Sequence, residues 1–121
     1  LTKIGQAGPA AIGLDILMPE PDRLSPGRLP ALVPGMDREV AERLARMPSN
    51  DGVLAAALRT LPAVLGVGGL DTREPMGRRP ALRQPTLRLF GGDPAPFLRR
   101  YESVVRSVDE IHDAARGHGL L

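Results

Sequence analysis

Ala10-Ala11-Ile12-Gly13-Leu14-Asp15-Ile16-Leu17 is an almost unbroken apolar run, closed by Met18-Pro19. Such runs mark strands covered on both faces. Gly13 weakens the strand but permits close approach by a neighbouring helix. A second run of the same kind, Ala63-Val64-Leu65-Gly66-Val67-Gly68, follows Pro62. Between them lie two patterns of helical period. Met36, Val40, Leu44 and Met47 form the first, which Pro48 stops. Ser49-Asn50-Asp51 then supplies cap residues for a helix carrying Val53, Leu54, Ala57, Leu58 and Leu61. Strand, helices, strand is a crossover unit, so the two strands should run parallel through a right-handed connection. The expected fold is α/β, a three-layer sandwich with a small, mainly parallel sheet covered by helices. Strands at about 10–17 and 62–68 should be neighbours or near neighbours, with helices over 37–47, 51–61 and 95–116.

Outward from this unit, Leu1, Ile4 and Ala7 fall at helical spacing, and Gly8-Pro9 reads as a helix stop. Residues 18–35 hold prolines at 19, 21, 26, 30 and 34, which exclude a long helix or a central strand and predict an excursion over the surface. Residues 69–85 form a second stretch rich in Gly, Pro and Arg, and Thr86–Phe90 alternates weakly, as a third strand would. Asp93-Pro94 resembles an N-cap followed by proline at the first helical position. Leu98, Tyr101, Val105, Val108, His112 and Ala115 then make one stripe of a last helix that Gly117 and Gly119 end.

The chain has 121 residues, enough for a single domain and one core. Its 14 glycines and 13 prolines imply short elements joined by many turns. Aromatic residues make up 2%, too few for a base-stacking or sugar-binding platform. A formal net charge of +2 is no nucleic-acid signal either. Cysteine is absent, which excludes disulfides, thiolate nucleophiles and Cys-based metal sites. No apolar run is long enough to cross a membrane as a helix, and no signal peptide is visible.

Candidate chemistry is sparse. Asp15 stands near the carboxyl end of the first strand, with Glu20 and Asp22 just beyond. Ligands of open α/β sheets bind outside the carboxyl ends of strands, and three carboxylates there could hold a hard divalent cation for a metal-dependent hydrolase. The plainer reading has Asp15 tying down the loop while Glu20 and Asp22 face solvent. Gly66-Val67-Gly68-Gly69 follows a strand as a phosphate-cradling turn would, but no helix opens after it. Gly68 and Gly69 nonetheless belong to the expected crevice with Asp15, Glu20 and Asp22, because glycine lets a ligand approach the main chain. His112 and His118 are six apart, the wrong spacing for two ligands on one helical face, and His112 reads as a core histidine. The Arg cluster over residues 73–83 reads as a solvated loop or a contact for an anion, a lipid headgroup or another subunit. These features favour a binding or sensing module over an enzyme, with no cofactor. A dimerisation module whose helices form the interface is the third reading.

One stretch narrows the choice. Ala10-Ala11-Ile12-Gly13-Leu14-Asp15-Ile16-Leu17-Met18-Pro19-Glu20-Pro21-Asp22 resembles the signature of the second class of CHASE domains, the cyclase/histidine-kinase-associated sensing extracellular domains. Asn50-Asp51-Gly52-Val53-Leu54-Ala55-Ala56-Ala57-Leu58 is similar to the family's next block, and Ala63-Val64-Leu65-Gly66 to its strand. Ala114-Ala115-Arg116-Gly117-His118-Gly119 is similar to its Ala-rich helix end with spaced glycines. The resemblance implies the middle of such a domain, with the family's leading strand before Leu1 and its closing strands after Leu121. It implies a non-catalytic, extracytoplasmic sensor of a small molecule, able to pair as a homodimer. Transmembrane helices would tether it to the membrane, and a cytoplasmic nucleotide cyclase or kinase would be fused to it. Asp15, Glu20, Asp22 and Asp51 are the signature carboxylates it carries over.

Overall fold

The computed structural model describes residues 1–72 and 88–121. It shows an α/β fold around a mixed sheet of four strands, β1 (Ile12–Leu14), β2 (Ala63–Leu70), β3 (Ser103–Val105) and β4 (Gly117–Leu120). The expected crossover is present: β1 pairs parallel with β2, Ile12 opposite Ala63 and Leu14 opposite Leu65. β4 also runs parallel to β2, Val64 opposite Gly117 and Val67 opposite Leu120. β3 is antiparallel, pairing Val105 with Gly68 and Ser103 with Leu70.

Five helices are described: α1 (Thr2–Gln6), α2 (Leu29–Leu32), α3 (Arg38–Ala45), α4 (Asn50–Arg59) and α5 (Asp109–His112). α1 stops at Gly8, whose φ of 64° is the left-handed conformation that glycine supplies freely. α3 begins at Asp37, whose carboxylate accepts the N–H groups of Glu39 and Val40. Its exposed face is laced by Arg38–Glu42 and Arg43–Glu39 pairs at four-residue spacing. α4 begins at Ser49, whose Oγ accepts the N–H of Gly52.

The core lies between α4, α5 and one face of the sheet. Ala55 and Leu58 of α4 meet Ile111 of α5 and, just after it, Ala114 and Ala115; Ile12, Ala63 and Leu65 close the cluster from below. Leu58, Leu65 and Ile111 are fully buried. The period of two along β2 sends Ala63 and Leu65 into this core and Val64, Gly66 and Gly68 to the other face. There the Leu121 side chain lies over Gly66.

Several expectations are corrected. The first strand is three residues long, with Ala10, Ala11, Asp15 and Ile16 exposed, and none of the described residues comes within 4 Å of where a Cβ on Gly13 would be. β2 runs on through Gly68 and Gly69 instead of ending there. The helix expected over 95–116 does not form. Pro94 and Pro96 allow a single 3₁₀ turn, Ala95–Phe97, whose first N–H is accepted by Asp93. The β-branched pair Val104-Val105 then enters a strand, and only Asp109–His112 is helical. Gly117 and Gly119 are strand residues, not a helix end. Arg88–Phe90 form no strand; Thr86 and Leu87 lie outside the described residues, as does the Arg cluster over 73–83.

Candidate functional site

The loop leaving β1 and the first turn of α4 enclose a crevice of about 560 Å³, lined by Leu17, Met18, Pro19, Glu20, Asp22, Asn50, Asp51 and Leu54. Two segments almost thirty residues apart are stitched together here. The N–H of Asp22 donates to Asp51 Oδ2 at 2.9 Å, and Asn50 Nδ2 donates to Asp22 Oδ2 at 2.7 Å. Asp22 Oδ1 accepts the N–H of Leu24 at 2.8 Å, a local Asx turn that aims the carboxylate. Ser25, buried at 3% exposure, accepts the N–H of Asn50 through Oγ at 3.0 Å. Ser25 and Ser49 thus satisfy two of the orphan donors that open α4.

These bonds set the electrostatics. The hydrogen bond from Asn50 and then that from Leu24 hold the Asp22 carboxyl below its ordinary range, with Arg28 adding a smaller attraction. Glu20 pairs at 3.0 Å with Arg23, both well exposed. Leu17, Met18, Pro19 and Leu54 provide an apolar lining, so the crevice pairs an apolar wall with a carboxylate-bearing rim. Its back is fixed by β3's continuation: Met18 donates to Ser107 Oγ and its carbonyl accepts the N–H of Val108.

The expected site residues divide. Glu20, Asp22 and Asp51 converge on the crevice. Asp15 does not; it borders a separate, shallower hollow of about 250 Å³ with Gly13, Gly66, Gly119 and Leu121. Gly68 and Gly69 are not open to a ligand, because Leu17 lies 3.3 Å from a Cβ position at Gly68 and the Tyr101 ring 2.5 Å from one at Gly69. Asp15, Glu20 and Asp22 therefore form no common cluster, and among the described residues no group of three His, Asp or Glu is arranged to hold a metal.

Sequence reading missed Ser25, and read Asn50 as a cap residue without its bond to Asp22, because the partners lie too far along the chain to be signalled by spacing. It also missed the meeting of His112 with His118. The chain turns after α5, and the two rings stack with centroids 3.8 Å apart. No protein-family model matches the chain, and no curated protein or solved structure matches it.

Proposed function

We propose that the chain is a non-catalytic sensor domain of a bacterial transmembrane receptor, facing away from the cytoplasm and relaying a stimulus to a fused nucleotide cyclase or kinase. One observation carries the reading. The two blocks that resemble the CHASE family, residues 10–22 and 50–58, fold against each other, and the hydrogen bonds between Asp22, Asn50 and Asp51 join them around a crevice. A conformational signal needs such a junction, since closure over a ligand there moves the β1 loop relative to α4.

The crevice chemistry suits a small molecule with an apolar body and a cationic group. Leu17, Met18 and Leu54 offer the apolar contact, and Glu20 with Asp51 offers the charge. The metal-dependent hydrolase reading loses ground because Asp15 stands in a different hollow from Glu20 and Asp22.

The test is the full reading frame of the gene, combined with labelling of intact cells by a membrane-impermeant amine reagent. The expected result is a membrane-spanning helix and a cyclase or kinase segment in the same frame, with the exposed Lys3 modified from outside. A frame without a membrane span, or a Lys3 that labels only after lysis, would overturn the reading.

A further inference from the structure

The C-terminal strand is held through an unusual pair. His112, at the end of α5, is 3% exposed, and His118 reaches it from β4. Their rings stack with centroids 3.8 Å apart and planes 18° from parallel. His118 Nε2 lies 3.2 Å from the carbonyl oxygen of His112. A carbonyl only accepts, so Nε2 carries the hydrogen and His118 Nδ1 is left as a bare acceptor. The Nδ1 atoms of both rings are buried without a hydrogen-bond partner among the described residues. The pair is not arranged as a metal site: near-parallel rings send their in-plane lone pairs side by side instead of toward one point.

We propose that the His112–His118 stack is an acid-released latch, protonation of which detaches β4 from β2 while the α4–β2 core stays folded. This goes beyond the small-molecule reading and does not depend on it. A proton added to His118 Nδ1 finds no acceptor among the described residues, and protonation of both rings sets two like charges face to face across the stack. The surroundings give little relief. Asp109 and Asp113, both exposed on α5, attract a charged His112; Arg106, whose guanidinium sits 2.6 Å from Asp109, repels it. Glu110 turns away, its carboxylate lying against Gly52 in the first turn of α4. From α4 and β2 the core receives only Ala55, Leu58, Ala63 and Leu65, all apolar. Burial first, and then the His118 ring, hold His112 below its ordinary value.

The sign follows from linkage. The open state binds more protons than the closed one, so closure is favoured at neutral pH and weakens as pH falls below the ordinary histidine range. Release is local for a structural reason. β4 is four residues long, two of them glycine, and contributes no residue to the buried core cluster.

Hydrogen exchange on the intact chain, corrected for intrinsic rates and compared between about pH 7.5 and about pH 5, tests the latch. Protection of the amides over 117–121 should fall about tenfold or more, reversibly, while amides over 54–58 keep theirs. The double variant His112→Phe with His118→Phe keeps two stackable rings and removes the titration, so its strand should stay protected at both pH values. If that variant does not fold, NMR titration of the wild type decides. The imidazole and β4 amide signals should move with one midpoint, distinct from any global transition. Protection that survives acid, a loss shared by the 54–58 amides, pH-sensitive protection in the folded double variant, or separate midpoints would each overturn the proposal.

Discussion

Replacing Ser25 with Ala tests whether the proline-rich excursion is docked on α4 or merely lies near it. Ser25 Oγ is the acceptor for the N–H of Asn50, the first residue of α4. The main chain of Ser25 also closes turns with Asp22 and Arg28. Removing the hydroxyl leaves an N–H at a partly covered helix start without its acceptor, which costs about 1–2 kcal/mol. For a chain of this size that corresponds to a fall in Tm of roughly 4–8 °C. Ser49→Ala removes the ordinary cap of the same helix, from Gly52 N–H, and should cost a similar amount. The two variants should part company in hydrogen exchange. Ser25→Ala should raise exchange over residues 22–28 as well as at the start of α4, because one hydrogen bond serves both segments. Ser49→Ala should affect α4 alone. Equal Tm for Ser25→Ala and wild type, or unchanged exchange over 22–28, would refute the docking argument and with it the walls of the crevice.

Leu58→Ala removes a fully buried side chain between α4 and the sheet, and urea unfolding should show a loss of about 3 kcal/mol. Gly69→Ala drives a methyl group into the Tyr101 ring; since Tyr101 is the sole tyrosine and the chain has no tryptophan, displacement should appear directly as a changed near-ultraviolet tyrosine signal. Acid titration should loosen the tie between residues 22 and 50. Because the Asp22 carboxyl is held below its ordinary range, its contribution is complete above that range and is lost as pH falls through the lowered value. Asp22→Asn should flatten that part of the stability profile below about pH 4.

The parallel pair β1–β2 was legible because two apolar runs flank a capped, two-helix connection, and few arrangements other than a crossover satisfy that order. The cap of α4 was legible for the same local reason, since Ser49 sits where its side chain reaches an N–H three residues on; Asp37, which caps α3 in the same way, was not singled out. The last third was misread because apolar residues at 98, 101, 105, 108, 112 and 115 imitate a helical stripe while serving separate elements. Tyr101 packs on Gly69, Val105 pairs with Gly68 in a strand, and only the residues from Val108 onward follow a helical turn. The signals that could have corrected it were present: prolines at 94 and 96, the Val104-Val105 pair, and the Gly-His-Gly alternation at 117–119. The histidine stack left no trace at the level of spacing, since it depends on the turn after α5 and on the register of β4 against β2.

The candidate site shows why signature residues need not be ligand contacts. Both oxygens of Asp22 are already engaged, one by the Leu24 N–H and one by the Asn50 side chain, and its own N–H is held by Asp51. A carboxylate so committed has little left to offer an incoming group; its contribution is to fix where the β1 loop sits against α4. Glu20 is different, because its ion-pair partner among the described residues is the exposed Arg23, a pairing that solvent screens and a ligand can replace at small cost. On the proposed reading, recognition at the crevice falls to Glu20 with Asp51 and to the apolar contact with Leu17, Met18 and Leu54, while Asp22, Asn50 and Ser25 hold the crevice walls together. A rim that binds and a frame that holds is the division the proposed sensor would need. In that proposal the frame would couple the rim to α4, whose Leu58 lies in the same buried cluster as Ile111 of α5.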